Sequence, residues 1–199
     1  MLTNIAYQER LFQKYTHLPW FTYPAIEYIA QLNLREKTIF EWGSGESTLF
    51  FSARCKQIIS IEHDKTFYDK VEMWKAQRGN IEIRLCPKEN FVEIIEEFKS
   101  KFDVIIVDSE RRKECARKAI DFLNPQGLII FDNSNWHGEC CRILRNAGLI
   151  EVDFHGMGPH NNYAWTTSLF FTRDFNMQTL LDYQPHGPVF GDLIKEAEG

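Results

Sequence analysis

Five short apolar runs limit what this chain can fold into. They are "TIFEW" (38–42), "IISIE" (58–62), "IEIRLC" (81–86), "FDVIIVD" (102–108) and "GLIIFD" (127–132). Several are nearly unbroken in Ile, Val and Leu, which marks strands covered on both faces. Segments of helical spacing lie between them. Phe67, Val71 and Trp74 share a face, as do Phe91, Ile94, Ile95 and Phe98, and then Ala116, Ala119, Ile120 and Leu123. Strands alternating with helices predict an α/β fold with a mostly parallel sheet, right-handed crossovers and helices on both faces.

The ends of the chain read differently. Residues 1–36 predict an N-terminal helical cap, with Leu11, Phe12 and Tyr15 on one face and a break at "HLPWFTYP" (17–24). In that break Trp20, Phe21 and Tyr23 are packing residues first and a cofactor or substrate wall second. "LIEVDF" (149–154) and "TTSLFFT" (166–172) read as two late strands. The segment between them, "HGMGPHNNYAW" (155–165), is rich in Gly, Pro and Asn and reads as a loop. Its His155 and His160 are candidates for a substrate mouth. The expected division is 1–36 as cap, 37–173 as core and 174–199 as a tail packing on the core, within one domain.

Composition narrows the function. The 199 residues carry a net charge of -5, with a pI near 5.7. Binding along a phosphate backbone needs clustered Lys and Arg, so no nucleic-acid partner is expected. No stretch approaches the roughly 20 apolar residues of a membrane span, and "MLTNIAYQER" does not read as a leader. A cytoplasmic protein without a membrane partner is expected. Five cysteines, an odd number without a CxxC pair, predict reduced structural thiols.

The chemistry begins at "FEWGSGEST" (40–48), where a strand meets a glycine turn and restarts as a helix. No GKS or GKT follows, so this is not a phosphate-binding P-loop. Gly43 and Gly45 fit the start of a dinucleotide fingerprint, but Thr48 stands where its third glycine belongs. Glu41 precedes the turn. A carboxylate there repels a pyrophosphate and suits a ligand with an ammonium group. Glu62 ends the second strand, where an acid accepts hydrogen bonds from ribose hydroxyls in open parallel sheets.

With "IEHD" (61–64) and "VDSERR" (107–112), this stretch resembles the class I S-adenosylmethionine-dependent methyltransferases over roughly residues 20–172. The resemblance implies a Rossmann-like, seven-stranded sheet whose last strand is antiparallel. It also implies that Glu41, Gly43, Ser44, Gly45 and Thr48 hold the methionine part of the cofactor. Glu62 would hold the ribose, with His63 and Asp108 nearby. The methyl acceptor would be an oxygen, or a nitrogen, of a small molecule or glycan.

"LIIFDNSNWHG" (128–138) resembles the fifth strand of the metal-dependent O-methyltransferases, which implies Mg²⁺ on Asp108, Asp132 and Asn133. Arg111 stands where those enzymes carry a lysine, and an arginine stays protonated. The alternative is metal-free transfer, with Asp108 or His137 as base. Three rivals stay open: an NAD-dependent or nucleotide-sugar oxidoreductase, a polyamine synthase, and a catalytically silent nucleotide-binding module. An acid-rich amine pocket, which a polyamine synthase needs, is not expected from the basic "SERR".

Overall fold

The structure, a computed structural model, describes residues 2–76 and 78–189. Seven strands form one sheet: β1 (Thr38–Trp42), β2 (Gln57–Glu62), β3 (Ile81–Leu85), β4 (Phe102–Val107), β5 (Leu123–Asp132), β6 (Ile150–Gly156) and β7 (Trp165–Phe171). Their order across the sheet is β3-β2-β1-β4-β5-β7-β6. β1 to β5 pair in parallel, and β7 enters antiparallel between β5 and β6. This is a Rossmann-like, seven-stranded, mostly parallel sheet.

The apolar runs are strands because both faces are covered. Alternate residues of one strand serve different cores. Ile39, Ile58, Val104, Ile106, Ile130 and Leu169 join one core with helices α1 (Leu2–Lys14), α2 (Tyr23–Ile29) and α3 (Glu46–Ser52), and with Val71 of α4 (Lys65–Lys75). Phe40, Trp42, Ile61, Ile105, Val107 and Phe131 join the other, with α5 (Arg112–Phe122) and α6 (Gly138–Asn146). Trp42, fully buried, donates its indole N–H to the Phe91 carbonyl at 2.8 Å, so its polar atom is satisfied.

Four local expectations change. Phe12 is exposed, while Leu11 is buried and Tyr15 packs edge-on to Phe50. The segment expected to be helical around Phe91–Phe98 is only a short 3-10 turn, Glu93–Glu97. β5 starts at Leu123 rather than Gly127, across an irregularity where Gln126 takes a φ of 66°. β6 runs on to Gly156 and β7 begins at Trp165, which shortens the loop between them. Residues 190–199 of the expected tail lie outside the described residues. Further back, Leu32 pairs with Thr179, and the Val189 amide donates to Glu27.

All five cysteines are buried and unpaired, with burial pushing the thiols of Cys55, Cys115 and Cys141 up to about 12. Among the described residues, no helix is long and apolar enough to cross a membrane.

Parallel strands place their C-terminal ends on one edge, where ligands bind in such sheets. At that edge the turn after β1 presses onto the end of β4. Gly43 has a φ of 95°, and a Cβ there would sit 2.1 Å from the Asp108 carbonyl oxygen. Gly45 is different: a Cβ on it meets no atom within 4 Å. Gly43→Ala is therefore expected to destabilise the fold by about 2 kcal/mol or more. Gly45→Ala is expected to stay within roughly 0.5 kcal/mol of the parent protein. Urea unfolding of both variants checks the contrast.

Candidate active site

A cavity of about 630 Å³ opens at the carboxyl edge of the sheet. Gly43, Ser44, Gly45, Glu62, His63, Asp108, Asp132 and Asn133 all line it. Eight of the eleven residues given a catalytic, cofactor or metal role from the sequence thus meet in one place. Glu41, Thr48 and His137 do not.

Glu41 is fully buried beneath the turn. Its carboxylate accepts hydrogen bonds from Ser47 Oγ (2.5 Å), Thr48 Oγ1 (2.5 Å) and Ser60 Oγ (2.6 Å). Thr48 Oγ1 in turn accepts the Gly45 amide at 3.1 Å. Glu41 and Thr48 therefore shape the turn from behind and do not line the cavity. The cause is local: a strand residue two before a sharp turn points into the layer between sheet and helix, where hydroxyls of α3 and β2 surround it. Burial pushes the Glu41 carboxyl up to about 7, against the pull of those three hydroxyls.

Glu62 does reach the cavity, although only 4% of it is exposed. Oε2 accepts the Ser44 amide (2.8 Å) and Ser44 Oγ (3.0 Å). Oε1 accepts the amides of His63 and Asp64, both at 2.8 Å. The second strand end and the glycine turn are thus tied together through one carboxylate. The His63 ring lies between Glu62 Oε1 (3.2 Å) and a Glu110 oxygen (3.7 Å), edge-on to Phe91.

The ends of β4 and β5 carry the second group of acids. Arg112, at the start of α5, joins them: its Nη2 donates to Asp108 Oδ1 (2.8 Å) and to Asn133 Oδ1 (2.9 Å), and its Nη1 to the Ser109 carbonyl (2.6 Å). Asp132 is held from the other side by Trp165 Nε1 (3.0 Å) and Thr167 Oγ1 (2.5 Å), both on Oδ1. Arg112 thus bridges two of the three residues expected to hold Mg²⁺, placing a cation where a second one is repelled, and the third is engaged by β7 through Oδ1. Among the described residues no group of three His, Cys, Asp or Glu is placed to hold a metal. The residues do not fit the cation that the partial resemblance implied.

Burial raises the Asp132 carboxyl to about 8, helped by the charge of Asp108 and opposed by Thr167 and Trp165. Burial also raises Asp108, while Arg112 pulls it back down.

Arg111, the arginine singled out from the sequence, turns away. It adopts a left-handed φ of 57° and donates to the Lys88 carbonyl. His137 lines, with Glu139, a neighbouring groove that shares Ser109, Glu110, Arg112 and Trp136 with the cavity. It stacks edge-on to Phe131, and its pKa is lowered by burial and by Arg112. His155 bonds Thr166 Oγ1 at 2.7 Å and does not line the cavity, whereas His160 does, against Trp20. Phe21 and Tyr23 are core.

Sequence reasoning missed Arg112, Trp136, Tyr163 and Trp165. The i, i+4 spacing of Asp108 and Arg112 at a helix start was the available signal for the first. The "YAW" of the loop was the signal for two of the aromatics.

No protein-family model matches the sequence, and no curated protein matches it. Solved structures do match. Precorrin-6y C5,15-methyltransferase from Geobacter metallireducens aligns with a TM-score of 0.59 at 11% identity, over 74% of this chain and 88% of that one. Spermidine synthase from Thermotoga maritima aligns at 0.56 and 18%, over 74% and 57%. N-methyltransferase NodS from Bradyrhizobium japonicum, solved with S-adenosyl-L-homocysteine, aligns at 0.53 and 16%, over 69% and 78%.

The raised Asp132 carboxyl makes stability depend on pH. Between 3.8 and about 8 the folded state holds a proton there that the unfolded chain releases, so this group lowers stability as pH rises through that window. Asp132→Asn keeps an oxygen for Thr167 and Trp165 and removes the titration. Its stability relative to the parent should improve between pH 4.5 and 7.5, by on the order of 2–4 kcal/mol. Denaturant unfolding at several pH values measures this, and a difference that stays flat with pH contradicts it. With sheet order, antiparallel seventh strand and carboxyl-edge cavity all in place, the chain has the Rossmann-like fold of the class I S-adenosylmethionine-dependent methyltransferases.

Proposed function

We propose that this protein is an S-adenosylmethionine-dependent methyltransferase acting on an oxygen, or a nitrogen, of a small molecule or glycan. The observation that carries the reading is the joint between the glycine turn and Glu62 on the wall of a 630 Å³ cavity. That volume lies within the usual 300–1,000 Å³ of small-molecule sites. The residues fit the cofactor. Open space above Gly45 allows close approach of a ligand, and Glu62 is a charged acceptor suited to ribose hydroxyls. Ser44 Oγ is a side-chain donor on Glu62, and it is the donor expected to yield to a ribose.

When bound, S-adenosylmethionine supplies an electrophilic methyl, whose bond to sulfur breaks with the electron pair left on sulfur as a bond to the acceptor oxygen forms. The chain's part is to position the acceptor and to take its proton. Asp108 is the proposed base. It lines the cavity and is ion-paired to Arg112, while burial raises its proton affinity, which suits a group that takes a proton. Asp132, raised to about 8, is mainly protonated at neutral pH and serves as a donor or acceptor of hydrogen bonds. His137 lies outside the cavity and is not proposed as base. Arg112 pairs with two of the three residues given to Mg²⁺, so activity is proposed to be independent of divalent cations.

A second reading draws on the acids. The cavity is lined by Glu46, Glu62, Asp64, Asp108, Glu110 and Asp132, against Lys70 and Arg112. An acid-lined cavity suits a polyamine, contrary to the expectation from "SERR". Aminopropyl transfer to putrescine from decarboxylated S-adenosylmethionine, with none to hydroxyl or amine acceptors from the intact cofactor, would establish that reading instead.

Calorimetry with S-adenosylhomocysteine and with NAD tests the cofactor. The first should bind and the second should not. Glu62→Gln should weaken S-adenosylhomocysteine about ten- to a hundredfold, the equivalent of roughly 1.5–3 kcal/mol for a hydrogen bond to a charged group. NAD binding without a response to S-adenosylhomocysteine would favour the oxidoreductase. Chelation with EDTA should leave methyl transfer unchanged, while Asp108→Asn should lower it by about 10²–10⁴-fold.

A further inference from the structure

The aromatic side chains at the cavity are not explained by cofactor binding at the glycine turn. Trp20, Trp136 and Tyr163 line the cavity and are nevertheless 48%, 55% and 47% exposed. Large aromatic surface left open at the rim of a cavity marks a place where a ligand completes the packing. These rings are held in position. Tyr163 lies 6.2 Å from Trp136 and 5.8 Å from Trp165, centroid to centroid. Trp20 lies 5.3 Å from the His160 ring.

Trp165 anchors the group. It is buried, its indole nitrogen donates to Asp132, and Gly158 packs against it so closely that a Cβ there would come within 2.4 Å of the ring. The aromatic wall is therefore built onto the ends of β5 and β7, beside Asp108 and Asp132. The glycine turn and Glu62 lie over β1 and β2, which leaves the β4, β5 and β7 side for a second ligand.

Charge narrows what that ligand is. Arg112 is already shared between Asp108, Asn133 and the Ser109 carbonyl. The remaining lining cation, Lys70, stands against a majority of carboxyls. A carboxylate or phosphate entering this space finds no free guanidinium to pair with, because Arg112 is already engaged. A linear amine gains from the acids but leaves the flat ring faces without a partner.

We propose that this side of the cavity is an acceptor subsite for an uncharged, ring-bearing hydroxyl compound, stacked against Trp20, Trp136 and Tyr163 with its hydroxyl towards Asp108. The proposal rests on the methyl-transfer reading for its chemistry, and on the aromatic geometry for its ligand class. A phenol and a sugar share the required features, a ring face and a neutral hydroxyl.

Ligand-observed NMR titration of the full chain, with and without saturating S-adenosylhomocysteine, tests it. The probes are 4-methylphenol, methyl β-glucopyranoside, 4-hydroxybenzoate, glucose 6-phosphate and putrescine. At least one neutral ring should bind, and its anionic counterpart should bind at least tenfold more weakly. The phenol and glucoside arms separate an aromatic acceptor from a sugar. Trp136→Ala and Tyr163→Ala, both at exposed positions, should each weaken the neutral ring about three- to tenfold and leave S-adenosylhomocysteine affinity unchanged.

The proposal is overturned if the anions or putrescine bind more tightly than the neutral rings, if no ring binds, or if the two variants bind rings as the parent does. Ring binding that depends on Trp136 and Tyr163, without any binding of S-adenosylhomocysteine, supports the subsite and removes the methyl-transfer reading.

Discussion

A carboxyl group buried under the first turn holds the cavity in shape. Glu41 leaves β1 into the space between the sheet and α3, where water does not reach it. Taking a carboxylate out of water costs several kcal/mol. Three hydroxyl donors offset this, at about 1.5–3 kcal/mol each for a charged acceptor. The two sides nearly balance, which is why the group is pushed up only to about 7. In return Glu41 fixes Ser47 and Thr48, Thr48 fixes the Gly45 amide, and Gly43 is left pressed on the end of β4. The geometry of the turn then presents Ser44 to Glu62. One buried acid thus organises a site that it does not touch.

Arg112 plays the corresponding part on the other side. It holds Asp108 and Asn133 together with one nitrogen, a task that a divalent cation performs with oxygen ligands. A guanidinium differs from a metal ion in two ways. It has a fixed planar set of donors, and it has no open coordination position at which an acceptor hydroxyl is polarised. Its effect is electrostatic instead: it opposes, without overcoming, the rise in proton affinity that burial gives Asp108. Asp132, without such a partner, is driven towards the neutral form. Both carboxyls are raised by burial, and the charge of Asp108 adds to the rise at Asp132.

The sheet was legible in the sequence because strands buried on both faces have no choice but continuous apolar residues. Their carboxyl edge followed from the strand order, and with it the convergence of Gly43, Glu62, Asp108 and Asp132. What the sequence does not carry is rotation about the strand axis at its last residues. Glu41 and Glu62 both lie at strand ends, yet one faces inward and the other the cavity. Arg111 and Arg112 are adjacent, and which of them points into the cavity is not legible for a similar reason. The left-handed turn at Arg111 sends its side chain out to the Lys88 carbonyl and leaves Arg112 to point in. His137 follows β5 closely in sequence, but the short 3-10 turn Ser134–Trp136 carries it into another groove. The aromatic wall depended on a loop that pattern reasoning treats as irregular, although Trp165 belongs to β7.

The central claim is that the glycine turn and the end of β2 form a cofactor site. Amide hydrogen exchange with and without S-adenosylhomocysteine tests it most directly, because it locates the ligand without requiring a known acceptor. Slowed exchange is expected at residues 43–48 and 62–64, with little change along α1 or α6. Protection confined to the groove around His137, or no protection at saturating ligand, would contradict it.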